Sequence, residues 1–145
     1  MAIEVTETTH PTEADWQAVT KPLHAYNYEK AGGTPAERIA LILKDSISGE
    51  SVGGLHGQAY WNWLHIDLFF VPTSVRGKGI GSELLARAER FGKQKNCLGV
   101  WLDTFSFQAP EFYRKHGYET FASLENYPRD ESRIFFRKRL TPPAL

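Results

Sequence analysis

An apolar run, Leu68-Phe69-Phe70-Val71, ends at Pro72, and a few residues later Arg76-Gly77-Lys78-Gly79-Ile80-Gly81-Ser82 opens a segment with apolar positions at Ile80, Leu84, Leu85, Ala88 and Phe91. The first run has the length and flanking of a strand, and the second has the spacing of an amphipathic helix. A further short apolar run, Leu98 to Phe105, reads as another strand. A strand, a helix and a strand in this order imply a parallel pair with a right-handed crossover. The glycines then lie where the first strand gives way to the helix. Glycines there let the backbone approach a ligand and leave N–H groups aimed at it. The helix dipole adds a positive end, so the main chain alone makes a site suited to a pyrophosphate.

Spacing separates three nucleotide motifs at this loop. A Walker loop needs Ser or Thr after Gly-Lys, but Gly77-Lys78 is followed by Gly79. The dinucleotide pattern G-x-G-x-x-G would begin at Gly77 and meets Ser82 at its last glycine, with no acidic strand end downstream to support it. The pattern that fits is R-x-x-G-x-G, formed by Arg76, Gly79 and Gly81. Downstream stands Pro110-Glu111-Phe112-Tyr113-Arg114-Lys115-His116-Gly117-Tyr118, a short helix with a tyrosine and a Gly-aromatic end. This arrangement resembles the GNAT (GCN5-related) N-acetyltransferase superfamily, over the stretch Ile66 to Leu140. The resemblance implies a single α/β (α+β) domain over residues 1–145, with a mixed, mostly antiparallel, twisted sheet of about seven strands and helices on both faces. It implies acetyl-CoA as cosubstrate and transfer of its acetyl group to a primary amine by direct attack in a ternary complex.

The composition agrees with a soluble domain of one core. At 145 residues the chain is long enough to bury one, with 41% apolar and 23% charged residues. Seventeen acidic and seventeen basic side chains cancel, so net charge favours neither nucleic acid nor an anionic membrane as partner. No apolar run reaches the roughly 18 residues of a membrane span, and the N-terminus lacks a signal pattern. Cys97 is alone, which excludes an internal disulfide and suits the reducing cytoplasm. It is expected to be a small buried hydrophobe, not a nucleophile. His24, His56 and His116 lack ligand-type spacing, so no metal site is expected.

Along the chain, Ile3 to Thr8 alternates as a strand would. Thr12 is a helix cap, and Trp16, Val19 and Leu23 form a stripe that Pro22 should divide between two short helices. Gly32 to Pro35 is a loop. Arg38 to Lys44 and Ser51 to Trp61 are strands joined by a turn at Asp45 to Gly49, and Trp63 to Val71 is the next strand. The helix runs from Gly81 to Gln94, with Glu83 and Arg87 four apart. Pro110 starts the short helix and Gly117 ends it, and Tyr118 to Leu124 pairs with Ile134 to Arg139 across the loop at Glu125 to Asp130.

The amides of Gly77, Lys78, Gly79, Ile80, Gly81 and Ser82 form the expected pyrophosphate cradle, with the Lys78 charge beside it. By resemblance, Phe69, Phe70 and Val71 offer main-chain groups to the pantetheine arm, while their side chains can still serve the core. The Phe70 or Val71 amide would polarise the thioester carbonyl. The resemblance also makes Tyr113 the general acid for the departing thiolate. With reference pKa values of about 10 and 8.5, that transfer is uphill by roughly 2 kcal/mol. A lysine-like amine needs about 4 kcal/mol to lose its proton at pH 7, so a base is useful. Asp67 stands where related enzymes place a glutamate, and His65 lies on the same strand face; either could instead be a hydrogen-bonded strand side chain. Glu111 and Glu125 stand behind them. Ser106 takes the place of a pantetheine-contacting asparagine and can make one of its hydrogen bonds, with Gln108 nearby.

Trp61, Trp63, Tyr26, Tyr28 and Tyr127 are candidate walls for an acceptor pocket framed by the N-terminal helices and the loop before the last strand. The tryptophans are assigned to the core and the tyrosines are left open. Three functions fit the pattern: a small-molecule amine acetyltransferase, a protein lysine or N-terminal acetyltransferase, or a non-catalytic acyl-CoA-binding module. A homodimer is compatible with the resemblance.

Overall fold

In the computed structural model, which describes residues 1–33 and 35–140, the unit Met1–Thr34 carries one helix, α1 (Glu13–Ala31). Its start is a capping box. The Thr12 N–H donates to Asp15 Oδ2 at 2.8 Å, and the Asp15 N–H donates to Thr12 Oγ1 at 3.3 Å. The hydrogen bond from the Thr12 backbone lowers the Asp15 carboxyl below its ordinary value. Pro22 lies inside α1 and does not divide it. A proline there removes one N–H, the one that would reach the carbonyl of Ala18, and the turns on either side carry the helix through. The expected strand from Ile3 to Thr8 is absent: these residues have no regular structure. Alternation marks two faces, but a strand also needs a backbone partner, and among the described residues this unit has no other strand.

The unit Pro35–Leu145 contains β1 (Glu37–Lys44), β2 (Ser51–Tyr60), β3 (Trp63–Phe70), α2 (Ile80–Gln94), β4 (Gly99–Phe105), α3 (Pro110–Lys115), β5 (Glu119–Glu125) and β6 (Ser132–Arg139). The strands form one six-stranded sheet in the order β1-β2-β3-β4-β6-β5. The sheet has six strands where seven were expected, because Ile3 to Thr8 adds none. All neighbours are antiparallel except β3 and β4, which are parallel as the strand-helix-strand pattern requires. Strand β2 stops at Tyr60, one residue short of the expected end. Trp61 and Asn62 both have positive φ, 45° and 75°, and make the two-residue hairpin turn instead. Trp61 is therefore 36% exposed and not a core residue. The Trp63 ring packs close over Gly99, where a Cβ would meet it at 2.6 Å.

One face of the sheet is the core. Leu55, Leu64, Ile66, Val100, Leu102 and Phe136 meet Leu84, Leu85 and Ala88 of α2 and Tyr113 of α3 in one buried cluster. The apolar spacing seen in the sequence is what lets α2 lay one side on this face. Cys97 joins the cluster at 1% exposure, and burial pushes its thiol pKa up, away from thiolate chemistry. Phe136 is wholly buried and contacts the Tyr113 ring at 5.7 Å between centroids. Replacing it with alanine should cost about 3–5 kcal/mol. Urea denaturation would show this as a lower midpoint with an unchanged slope, and a loss below about 1 kcal/mol would mean the core is centred elsewhere.

Candidate active site

The parallel ladder of β3 and β4 is short. It runs from Trp63↔Gly99 to Ile66↔Leu102 and stops. Beyond it, β3 keeps pairing with β2 as far as Phe70, and β4 keeps pairing with β6 as far as Phe105. The two strands thus part at Asp67 and Asp103, and backbone groups on the facing edges lose their sheet partners. A linear chain bearing amides and carbonyls could pair there, as a further strand would.

The glycine loop lies at the end of β3. Arg76 turns back on it: its Nε donates to the Val71 carbonyl at 2.8 Å, and its guanidinium lies 5.7 Å from the Phe70 ring centre. The Arg76 N–H reaches Thr73 and the Glu83 N–H reaches the Gly79 carbonyl, the first intrahelical bond of α2. Among the described residues, none of the amides from Gly77 to Ser82 between them has a backbone acceptor. Gly77 and Gly79 both have φ of 80°, with open space where a Cβ would stand. They are glycines for backbone conformation, not for lack of room. Gly81 differs: a Cβ there would lie 3.3 Å from the Phe112 ring. Ser82 Oγ lies 2.9 Å from His116 Nε2, and His116 Nδ1 lies 2.8 Å from the Phe112 carbonyl. A carbonyl only accepts, so Nδ1 carries a proton, and Nε2 shares the second hydrogen bond with the Ser82 hydroxyl. Lys78 is exposed beside the loop.

Tyr113 sits on the core face of the opening. Its ring meets Phe69 of β3 edge-on at 6.2 Å and is 7% exposed. Burial first, and then the Asp103 carboxylate, push its phenol up to about 12. Full proton transfer to a thiolate of reference pKa about 8.5 would then be uphill by roughly 5 kcal/mol. Asp67 belongs to the opposite face. It is the extra residue of a β-bulge, since Ile66 pairs with Gly57 and Leu68 with His56. Its Oδ1 lies 2.7 Å from His56 Nδ1, and its side chain is 36% exposed. His65 stacks flat on Trp101 at 3.7 Å, and its Nε2 is buried without a partner among the described residues. Burial lowers its pKa, opposed by the Asp67 and Asp103 carboxylates.

Ser106 is already engaged. Its hydroxyl donates to the Glu131 carboxylate and accepts from the Ser132 N–H at 2.8 Å. Gln108 takes the Thr104 hydroxyl and the Phe105 N–H on one oxygen. The structure thus gathers Phe69, Phe70, Val71, Asp67 and Tyr113 at the opening and residues 76–82 at its end. Arg38, His56 and His116 were not singled out for chemistry by the sequence. About the turn at Trp61 and Asn62, however, His56 and Asp67 are mirror positions, so the hairpin alone pointed to their meeting.

A model of the Acetyltransferase (GNAT) family matches residues 4–118. The chain belongs to that family. An acetyltransferase of Agrobacterium fabrum is 31% identical over 123 residues, which are 85% of this chain and 89% of that protein. Blasticidin-S acetyltransferase of Streptomyces morookaense is 47% identical over 81 residues, 55% of this chain. That match spans 60% of the length of the Streptomyces protein. The crystal structure of an acetyltransferase from Bacillus cereus is similar with a TM-score of 0.81 at 37% identity, covering 92% of this chain and 97% of that one. Among the described residues, no helix is long and apolar enough to cross a membrane.

A buried phenol raised from 10 to about 12 keeps its proton in the folded chain after the unfolded chain has lost it. Its contribution to stability is therefore whole below about pH 10 and declines as pH rises toward 12, by at most about 3 kcal/mol. Tyr118, raised by burial and by Glu89, acts in the same direction. Tyr113→Phe should flatten part of this alkaline loss, read as a smaller drop in the urea midpoint between pH 9 and pH 11. An unchanged drop would mean that the Tyr113 phenol is not buried.

Proposed function

We propose that this protein transfers the acetyl group of acetyl-CoA to a primary amine of a small molecule. The observation that carries the proposal is the line of unpaired amides from Gly77 to Ser82 at the end of the β3–β4 opening. Those amides and the α2 dipole suit the pyrophosphate, and the parted edges of β3 and β4 suit the amide-bearing pantetheine arm. The amides of Phe70 and Val71 lie where a thioester carbonyl could draw a hydrogen bond as it gains charge. The amine nitrogen attacks the carbonyl carbon, the C–S bond breaks, and the amine proton passes to Asp67, directly or through one water. His65 is the poorer base, because its free nitrogen is buried. Tyr113, holding its proton firmly, donates a hydrogen bond to the departing sulfur, and the sulfur leaves as a thiolate that takes up a proton from solvent, while Asp67 returns the amine proton to water.

The acceptor is read from the relatives' side. Blasticidin-S acetyltransferase acts on an antibiotic by its name, and the exposed carboxylate of Asp67 suits the cationic amine of such a molecule. The neutral net charge gives no reason to favour a basic protein tail. The cytoplasm, where acetyl-CoA is made and Cys97 stays reduced, is the proposed location.

Gly81→Asp tests the cofactor site. An acid in the first turn suits a helix, so α2 should persist after a small shift of Phe112, while the carboxylate repels the diphosphate. Calorimetry should show coenzyme A binding lost, and binding as tight as the parent's would remove the nest from the site. Tyr113→Phe should lower turnover about 10²-fold with coenzyme A affinity little changed. Thiol release from acetyl-CoA across blasticidin S, streptothricin, aminoglycosides, polyamines and lysine peptides would identify the acceptor class. Consumption of peptides alone would favour the protein acetyltransferase, and binding without consumption the non-catalytic module.

A further inference from the structure

Three strands contribute to one chain of hydrogen bonds that ends on Asp67. Arg38 of β1 approaches His56 Nε2 with its Nε at 3.0 Å and its terminal nitrogen at 2.9 Å. His56 of β2 places Nδ1 2.7 Å from Asp67 Oδ1. A guanidinium has only N–H donors, so His56 Nε2 must accept, and the ring's one proton must stand on Nδ1. That proton is donated to Asp67. Leu68 is the Cα partner of His56, and Asp67, the extra residue of the bulge, still reaches the imidazole.

We propose that His56, held by Arg38 in the Nδ1–H tautomer, is a positioning residue for Asp67 in the acetyl transfer. The pair fixes one carboxylate oxygen and turns the other, Oδ2, outward for the amine or its bridging water. Aspartate is one methylene shorter than glutamate, so its reach depends more heavily on where the backbone and a neighbour hold it. A histidine whose second nitrogen is occupied by an arginine cannot relay a proton onward. Its contribution is therefore orientation and a hydrogen bond, with the proton leaving through Asp67 or water. The inference rests on Asp67 being the base proposed above.

The test has an activity-independent arm and a kinetic arm. Nitrogen-15 shifts of the histidine rings, with His56 assigned by its loss in His56→Asn, should show the neutral Nδ1–H tautomer in the intact protein. Dominance of the Nε2–H form would overturn the proposal, whether or not an acceptor is known. In kinetics with the best amine of the panel above, Asp67→Asn should lower kcat about 10²-fold. His56→Leu should lower kcat about tenfold while KM for acetyl-CoA stays within about twofold. His56→Asn, whose amide nitrogen falls near the Nδ1 position, should restore most of the loss, and it guards against misfolding of the leucine variant. If Asp67→Asn is fully active, the base assignment is wrong. If Asp67→Asn is slow but His56→Leu matches the parent, only the positioning role of His56 fails.

Discussion

The β3–β4 ladder ends after Ile66↔Leu102, and the proposed chemistry depends on that interruption. A parallel pair in a sheet interior would ordinarily continue, because every N–H and C=O left without a partner costs free energy when buried. Here β3 carries one residue too many for β2. The bulge at Asp67 shifts the register of β3 against β2 by one residue, and bulges bend their strand and increase its twist. Strand β4 meanwhile follows β6 without interruption to Phe105. The parallel ladder thus ends at the residue that the bulge inserts.

The glycine loop is built on two different constraints. Gly77 and Gly79 answer a demand for positive φ, and their missing side chains would meet nothing. Gly81 has an ordinary helical place and answers to the Phe112 ring. The amides therefore stay without backbone partners for reasons internal to the chain: two left-handed residues turn the backbone, and the Phe112 ring of α3 stands where a side chain at residue 81 would go. The Ser82–His116 bond fastens α3 to the same turn. Since α3 also carries Tyr113, the phenol and the glycine turn are positioned by the same packing of α3 on the start of α2.

Much of this was legible in the sequence, and the omissions have physical causes. Residues 37–139 alternate or repeat at helical spacing because one face of each element meets the core, and those patterns located β1 to β6, α2 and α3 within a residue or two. The parallel pair followed from chain order alone. Ile3 to Thr8 misled because alternation records two-sidedness, whereas a strand also requires a neighbour. Pro22 misled because a helix of this length tolerates the loss of one hydrogen bond. Trp61 adopts a conformation that its side chain does not favour, so nothing in its identity announced a turn. Arg38 and His56 escaped notice because their meaning is cross-strand: each is unremarkable until β1, β2 and β3 are laid side by side. Ser106 was read as a pantetheine contact, yet its hydroxyl is committed to Glu131 and the Ser132 amide, which no spacing could reveal.

The proposed hydrogen-bond donor to sulfur and the proposed base stand on opposite faces of the sheet. Tyr113 belongs to the buried cluster under α2 and α3, while Asp67 joins His56 and Arg38 on the other side. In an unbroken sheet the two could never serve one bond, since a backbone layer would separate them. Where β3 and β4 part, that layer is missing. A thioester lying in the opening would have its sulfur towards the phenol and its carbonyl carbon accessible from the carboxylate side. The amine would then enter from one face and the thiol depart towards the other, so attack and departure need not compete for the same space. This arrangement also explains why a phenol raised to about 12 is tolerable. A donor that keeps its proton still stabilises charge growing on sulfur, and it does so without becoming an anion inside the core.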